Sequence, residues 1–133
     1  QHPPARVEAA FSAVCAARDA AVTAVQAAAR NGTPCCGWEV DRTAAAVLLD
    51  RGFREAILHR TGHSLGESVH GNGANLDDYE THDDRRLLPG TGFTIEPGVY
   101  FADFGVRTEI NMLMGEREAT VTGPCQTHLV RLI

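Results

Sequence analysis

The stretch His59-Arg60-Thr61-Gly62-His63-Ser64-Leu65-Gly66, closed by Val69-His70, places three of the chain's six histidines within twelve residues. Imidazole is the commonest neutral metal ligand and the usual general acid or base near neutral pH. Gly62 and Gly66 remove Cβ atoms between the rings, so backbone or substrate can approach closely there. Two later stretches stand in relation to this one: Phe93-Thr94-Ile95-Glu96-Pro97-Gly98 and Val106-Arg107-Thr108-Glu109-Ile110. Each sets a single carboxylate inside an apolar, strand-like run. With a turn centred near Ala102-Asp103, Glu96 and Glu109 face each other across a hairpin. Like charges directly opposite destabilise a sheet, and an apolar setting pushes one of the two pKa values up. A bound cation is the simplest reason to keep such a pair. Carboxylates with one imidazole suit a divalent ion such as Mn²⁺, Zn²⁺, Co²⁺ or Fe²⁺. Residue types and spacing alone leave the cluster open between a metal or acid/base site and ordinary strand acids, with Arg107 a same-face neighbour of Glu109. His59 and His63, four apart, do not read as helix-borne zinc ligands, because Gly62 lies between them.

Upstream, apolar residues at Val7, Phe11, Val14, Ala17, Ala21, Val25 and Ala28 recur at steps of three and four, which predicts one amphipathic helix over residues 5–30. Pro3-Pro4 precede it and Asn31-Gly32 stop it. A second helix is predicted from Glu39 to Arg51, with Val40, Ala44, Val47 and Leu48 on one face and Gly52 as its C-cap. Ala56-Ile57-Leu58-His59 and Ser68-Val69-His70 read as short strands. A polar loop follows from Gly71 to Gly92. Its acids Asp77, Asp78, Glu80, Asp83 and Asp84 fit no EF-hand spacing and read as a solvated rim. Phe93–Phe101 reads as a buried strand and Val106–Met114 as its hairpin partner. Ala119–Thr122 and His128–Ile133 read as two last short strands. Helices first and antiparallel strands after predict an α+β fold, with the two N-terminal helices on one face of a curved, mainly antiparallel sheet.

The 133 residues are one domain's worth, with roughly two thirds of the chain's surface buried at such a size. A net charge of −5 with acids and bases mixed shows no footprint for nucleic acid or anionic lipid. No apolar run approaches the ~20 residues of a membrane span. Arg6, Glu8, Arg18 and Asp19 in the opening helix argue against a signal peptide. Cys15, Cys35, Cys36 and Cys125 lack C-x-x-C spacing and read as reduced thiols, pointing to a cytoplasmic location. His82 and His128 read as surface histidines. The chain begins with Gln1, which reads as a piece of something longer.

The run His59-x-x-Gly62-His63-x-x-Gly66 … Val69-His70, then Thr94-Ile95-Glu96-Pro97-Gly98, then Arg107-Thr108-Glu109, resembles the pita-bread metallopeptidases of family M24, nearest to Xaa-Pro aminopeptidases and Xaa-Pro dipeptidases (prolidases). That family holds two divalent metal ions with two aspartates, one histidine and two glutamates. The resemblance implies that His63, Glu96 and Glu109 are metal ligands. It also implies that His59 and His70 line the substrate pocket and move protons, and that Glu96 doubles as acceptor of the attacking water's proton. The two aspartates belong to an earlier hairpin, and Asp19 and Asp41 do not fit it. Residues 1–133 are thus expected to be the C-terminal half of an M24 catalytic domain, one ααββ unit, with a helical hairpin at 5–52 and the sheet and ligand motifs at 56–133.

The expected function is that of a peptidase fragment. Its parent would hydrolyse the N-terminal Xaa-Pro bond of proline-containing peptides with a hydroxide bound to two ions of Mn, Co or Zn. The chain by itself would hold one ion or none and be inactive. Two other readings stand beside this one: a creatinase-like hydrolase working without metal, and a pita-bread binding module without activity. The partner expected for the exposed apolar face is the missing N-terminal half or, failing that, a second copy in a homodimer.

Overall fold

The computed structural model describes residues 2–130 and 132. Helix α1 spans Ala5–Asn31 and α2 spans Gly37–Asp50. Ala is the strongest helix former, and here it also makes the packing face. Ala10, Ala13, Val14, Ala17, Ala21 and Val25 are wholly buried, and these small side chains let α2 lie closely against α1. Gly32 ends α1 in the left-handed conformation (φ +63°), its N–H turned back to the carbonyls of Ala28 and Ala29. Gly52 (φ +84°) does the same just beyond α2, after Arg51 as the C-cap.

Among the described residues six short strands follow: β1 (Ser64–Leu65), β2 (Gly92–Ile95), β3 (Gly98–Tyr100), β4 (Gly105–Arg107), β5 (Ile110–Met114) and β6 (Ala119–Val121). They form an antiparallel four-stranded sheet of order β1-β2-β5-β6 and a separate antiparallel pair β3-β4. The expected long hairpin is present, but each arm breaks in the middle. Ile95 faces Ile110 and Gly98 faces Arg107. One register therefore runs through both halves, setting Glu96 against Glu109 and Pro97 against Thr108. Pro97 has no N–H to give the ladder, and two facing carboxylates oppose close pairing. The ladder is interrupted at those two steps.

Burial alternates along the second arm, while on the first Thr94 is buried as well. Phe93, Ile95 and Val99 on one arm, and Val106, Thr108, Ile110, Met112 and Met114 on the other, are buried. They face α1, which packs on β2, β3, β4 and β6. The core lies between α1 and this inner face. Thr94, Glu96 and Tyr100, with Arg107 and Glu109, fall on the opposite face, as the period-2 geometry of strands requires.

Four expectations are corrected. Ala56–His59 is not a strand: residues Arg54–Ala56 form a 3-10 turn and the chain then runs irregularly. The backbone partner arrives only at Thr61 and Gly62, whose N–H groups both donate to the carbonyl of Leu76. Ser68–His70 is not a strand either. Residues 66–70 loop out and are closed by the Gly71 N–H donating to the Ser64 carbonyl (2.8 Å). His128–Val130 is irregular, and Arg131 and Ile133 of that expected strand lie outside the described residues.

The loop after Gly71 is the fourth correction: Glu80 and Asp84 are exposed as a solvated rim requires, but other parts of the loop are not. Leu76, Asp77 and Asp83 are at most 5% exposed. The carbonyls of Asp83 and Arg85 accept the N–H groups of Trp38 and Gly37, satisfying the open end of α2. Packing is so close there that a Cβ on Gly37 would sit 1.7 Å from the Asn75 carbonyl oxygen. Gly62 is equally constrained, with a Cβ placed 2.0 Å from the Thr94 carbonyl oxygen. No described helix is long and apolar enough to cross a membrane, and all four cysteines are free thiols. Burial pushes the Cys35 thiol up to about 11.

Two predictions follow from this packing. Gly62→Ala drives a methyl into the β2 backbone and is expected to cost about 3 kcal/mol or more. Gly92→Ala, whose nearest neighbour would be 3.7 Å away, is expected to cost less than about 1 kcal/mol. Denaturant midpoints of the two variants measure the contrast. The second prediction concerns acid. Asp83 has its pKa lowered, chiefly by the hydrogen bonds from the Arg85 side chain. A carboxylate with a depressed folded-state pKa stabilises the fold above its unfolded value of 3.8 and loses that contribution as pH falls through the folded value. Asp83→Asn is therefore expected to lower stability at neutral pH and to flatten the loss of stability below pH 3.8. Thermal unfolding at a series of pH values reads both effects.

Candidate metal centre

Three elements converge on the outer face of the sheet. His63 precedes β1, and its backbone is locked to β2. The His63 N–H donates to Thr94 Oγ1 (2.9 Å), and the Thr94 N–H donates to the His63 carbonyl (2.9 Å). Glu96 stands two residues on from Thr94, on the same face. Its N–H donates to the Thr61 carbonyl (2.6 Å) and its Oε1 accepts from Thr94 Oγ1 (3.0 Å). Glu109 comes from the break between β4 and β5, opposite Glu96. One ligand atom from each of His63, Glu96 and Glu109 lies within 4.8 Å of the other two.

The orientation of the imidazole is set by its neighbours. His63 Nδ1 lies 2.9 Å from the Ser64 carbonyl and donates to it. In the neutral ring Nε2 then carries a lone pair. That lone pair faces Glu96 Oε1 at 3.2 Å, inside a site where His63 is 7% exposed. Two acceptors then face each other, an arrangement that a cation held between the groups would satisfy. A ligating histidine that gives its other N–H to a backbone carbonyl is the usual arrangement at metal sites. One imidazole and two carboxylates, from three different elements, therefore fit a divalent ion. Arg107 Nη1, 3.8 Å from Glu96 Oε2, offsets part of the negative charge from the rim.

The other sequence-selected histidines are placed differently. The exposed His70 ring packs against that of His63, centroids 4.4 Å apart. His59 stands outside the ligand group, over Gly98. Its Nδ1 bonds the Arg60 carbonyl (2.6 Å), and Tyr100 Oη lies 2.8 Å from its Nε2. A Cβ on Gly98 would come within 2.9 Å of that nitrogen. His82 and His128 lie on the surface, His82 stacked on Trp38 and bonded to Asp78.

Several groups that hold the site were not singled out in the sequence. Asp41 of α2, 5% exposed, accepts from Thr61 N–H (2.9 Å) and Oγ1 (2.5 Å) and from Asp78 N–H (2.7 Å). It thereby anchors the residue whose carbonyl holds Glu96. Burial raises the pKa of Asp41, against hydrogen bonds that lower it. Asp83 accepts from Asn75 N–H (2.8 Å), and Asn75 Oδ1 accepts from Ser64 N–H (3.0 Å), next to His63. Thr94 and Tyr100 were legible in principle, since they share the period-2 face of Glu96. Asp41 and Asn75 carried no such signal, because their partners lie 20 and 11 residues away.

Comparison with known proteins bears on the family and the fold. The model of metallopeptidase family M24 matches residues 2–116. The probable dipeptidase PepE of Mycobacterium tuberculosis is 36% identical over 93 residues, covering 69% of this chain and 24% of that protein. The Xaa-Pro dipeptidase of Lactobacillus delbrueckii subsp. lactis is 38% identical over 72 residues, covering 53% of this chain and 18% of that protein. Among solved structures, dipeptidase PepE from Mycobacterium ulcerans superposes with a TM-score of 0.79 at 32% identity, over 94% of this chain and 32% of that one. The prolidase from Pyrococcus horikoshii OT3 superposes with a TM-score of 0.83 at 25% identity, over 97% of this chain and 35% of that one. The chain thus spans about a quarter of its curated relatives' length and about a third of the solved structures. Its two helices on an antiparallel sheet have the ααββ layout of the pita-bread fold. With most of its length matched by the family model, the chain belongs to metallopeptidase family M24.

Proposed function

We propose that this chain carries three of the metal ligands of an Xaa-Pro peptidase and is the C-terminal half of its catalytic domain. The observation that supports this most directly is the convergence of His63 Nε2, Glu96 and Glu109 within 4.8 Å, with a lone pair and a carboxylate facing each other at 3.2 Å. Relatives named Xaa-Pro dipeptidase and prolidase point to a peptide with proline after the scissile bond. The expected ions are Mn²⁺, Co²⁺ or Zn²⁺, two in the whole enzyme. Bound there, they would supply Lewis acidity, polarising the scissile carbonyl and making water a nucleophile near neutral pH.

The chain's own residues divide the remaining work. Glu96, held by Thr94 Oγ1 at Oε1, takes the proton of the attacking water. His70, exposed beside His63, reaches the substrate from the solvent side. His59, with its Nδ1–H on the Arg60 carbonyl and its Nε2 beside Tyr100 Oη, lines the substrate pocket and moves a proton at the rim. Arg107, 3.8 Å from Glu96 Oε2, helps to orient that carboxylate. The creatinase-like reading needs no cation, yet His63 Nε2 and Glu96 Oε1 face each other as two acceptors that a cation would join. The three-ligand set therefore favours a metal. The two aspartate ligands are expected from the other half of the domain.

Calorimetric titration with Mn²⁺ or Co²⁺ tests the reading. The wild-type chain is expected to bind one ion weakly, and His63→Ala is expected to abolish that binding. Equal binding by both proteins would show that the cluster is not the site. With three ligands, the chain alone is expected to show no turnover of an Xaa-Pro dipeptide. Chelator-sensitive hydrolysis by the purified chain would overturn that expectation.

A further inference from the structure

The two carboxylates of the cluster are held in very different ways. Glu96 is fixed through its backbone by Thr61 and through its side chain by Thr94, with His63 and Arg107 beside it. Glu109 is exposed, and among the described residues no hydrogen bond reaches its carboxylate. It also sits in the gap of the ladder. Pairing with β3 stops at Arg107 and pairing with β2 begins again at Ile110. The position of Glu109 therefore depends on what fixes Thr108, the other residue of the gap.

Thr108 points to the opposite face and is 4% exposed. Its Oγ1 accepts a hydrogen bond from Arg18 Nη1 (3.2 Å). Arg18 lies in the buried stripe of α1, itself 2% exposed, between Val14 and Ala21. Burying a guanidinium is costly unless its donors are all met, and an apolar side chain would continue that stripe at lower cost. Arg18 donates from Nε to Asp19 Oδ1 (2.8 Å) and from Nη1 both to Thr108 Oγ1 and to the Gln126 carbonyl (2.8 Å). Only the contact with Thr108 reaches the interrupted hairpin.

We infer that Arg18 and Thr108 are positioning residues for the metal ligand Glu109: the buried guanidinium on α1 pins the unpaired step of the hairpin and so aims the next side chain at His63 and Glu96. This rests on the metal reading above. The pair touches neither ion nor substrate and acts only through the backbone between Thr108 and Glu109. Loss of a group that orients a ligand typically lowers metal affinity by about 10-fold to 100-fold.

The test is a Co²⁺ titration of the full chain, followed by calorimetry and by the visible absorption of the cobalt ion. Thr108→Val keeps shape but removes the acceptor, and is expected to weaken Co²⁺ binding by about 10-fold or more and to alter the cobalt spectrum. Thr108→Ser keeps the hydroxyl and is expected to stay within about twofold of wild type. Leu48→Val, a core truncation on α2, controls for stability and is expected to leave affinity unchanged. Wild-type affinity in Thr108→Val, where wild-type binding is abolished by His63→Ala, overturns the inference and leaves the metal reading standing. A drop in Leu48→Val as large as in Thr108→Val also overturns it, since general loosening then accounts for the effect. No Co²⁺ uptake by the wild type, or uptake indifferent to His63→Ala, removes the metal reading and the inference with it.

Discussion

A single antiparallel register runs from Gly92 to Tyr100 and back from Gly105 to Met114, and it cannot close at its centre. Pro97 opposite Thr108 lacks a donor, and Glu96 opposite Glu109 brings two negative charges together. An unbroken ladder would bury the carboxylates' neighbourhood in a regular sheet. The interruption leaves both carboxylates on one face at short range, and β1 delivers His63 beside them through the Ser64–Phe93 pairing. The stabilising hydrogen bonds given up at two steps of the sheet are what make room for a ligand group. The same break separates the strands into two sheets.

A gap of that kind needs support from outside the sheet, and the helices provide it with buried polar groups. Asp41 reaches from α2 to Thr61, and Arg18 reaches from α1 to Thr108. Asp83 orders Asn75, which in turn meets Ser64. Each contact ends one or two residues from a proposed ligand or on a residue whose backbone bonds one. Buried polar groups stabilise only when every partner is present, so these contacts specify one arrangement of the site more than they add net stability. The apolar packing of alanines between α1 and α2 holds the platform from which they reach. Local rigidity and ligand geometry are thus linked through a few side chains whose loss leaves charge uncompensated.

The readable part of the site lay in short-range pattern. His63, Glu96 and Glu109 stood out as polar residues in apolar, glycine-punctuated runs. Their opposition followed from a turn near Ala102-Asp103, whose register the structure has. The helices were legible to within two residues from their period and their glycines. Ala56–His59 and Ser68–His70 were misread because a short apolar run carries no record of whether a partner strand exists. The first of these meets no ladder, and the second is a loop closed by one backbone bond. The acids of the 71–92 loop were misread for the same reason. Their composition is that of a solvated segment, while Asp77 and Asp83 are buried by contacts with residues distant in the chain.

The sequence by itself determined the two helices, the alternating strand faces and the three ligand candidates, because periodicity and residue chemistry act over a few positions. Tertiary structure alone decided that the sheet splits at Pro97, that Asp77 and Asp83 of the polar loop are buried, and that Arg18 and Asp41 reach Thr108 and Thr61 beside the candidate site. Those outcomes depend on which distant groups meet. A guanidinium in a helix stripe looks like a misplaced charge until Thr108, 90 residues later, supplies its acceptor.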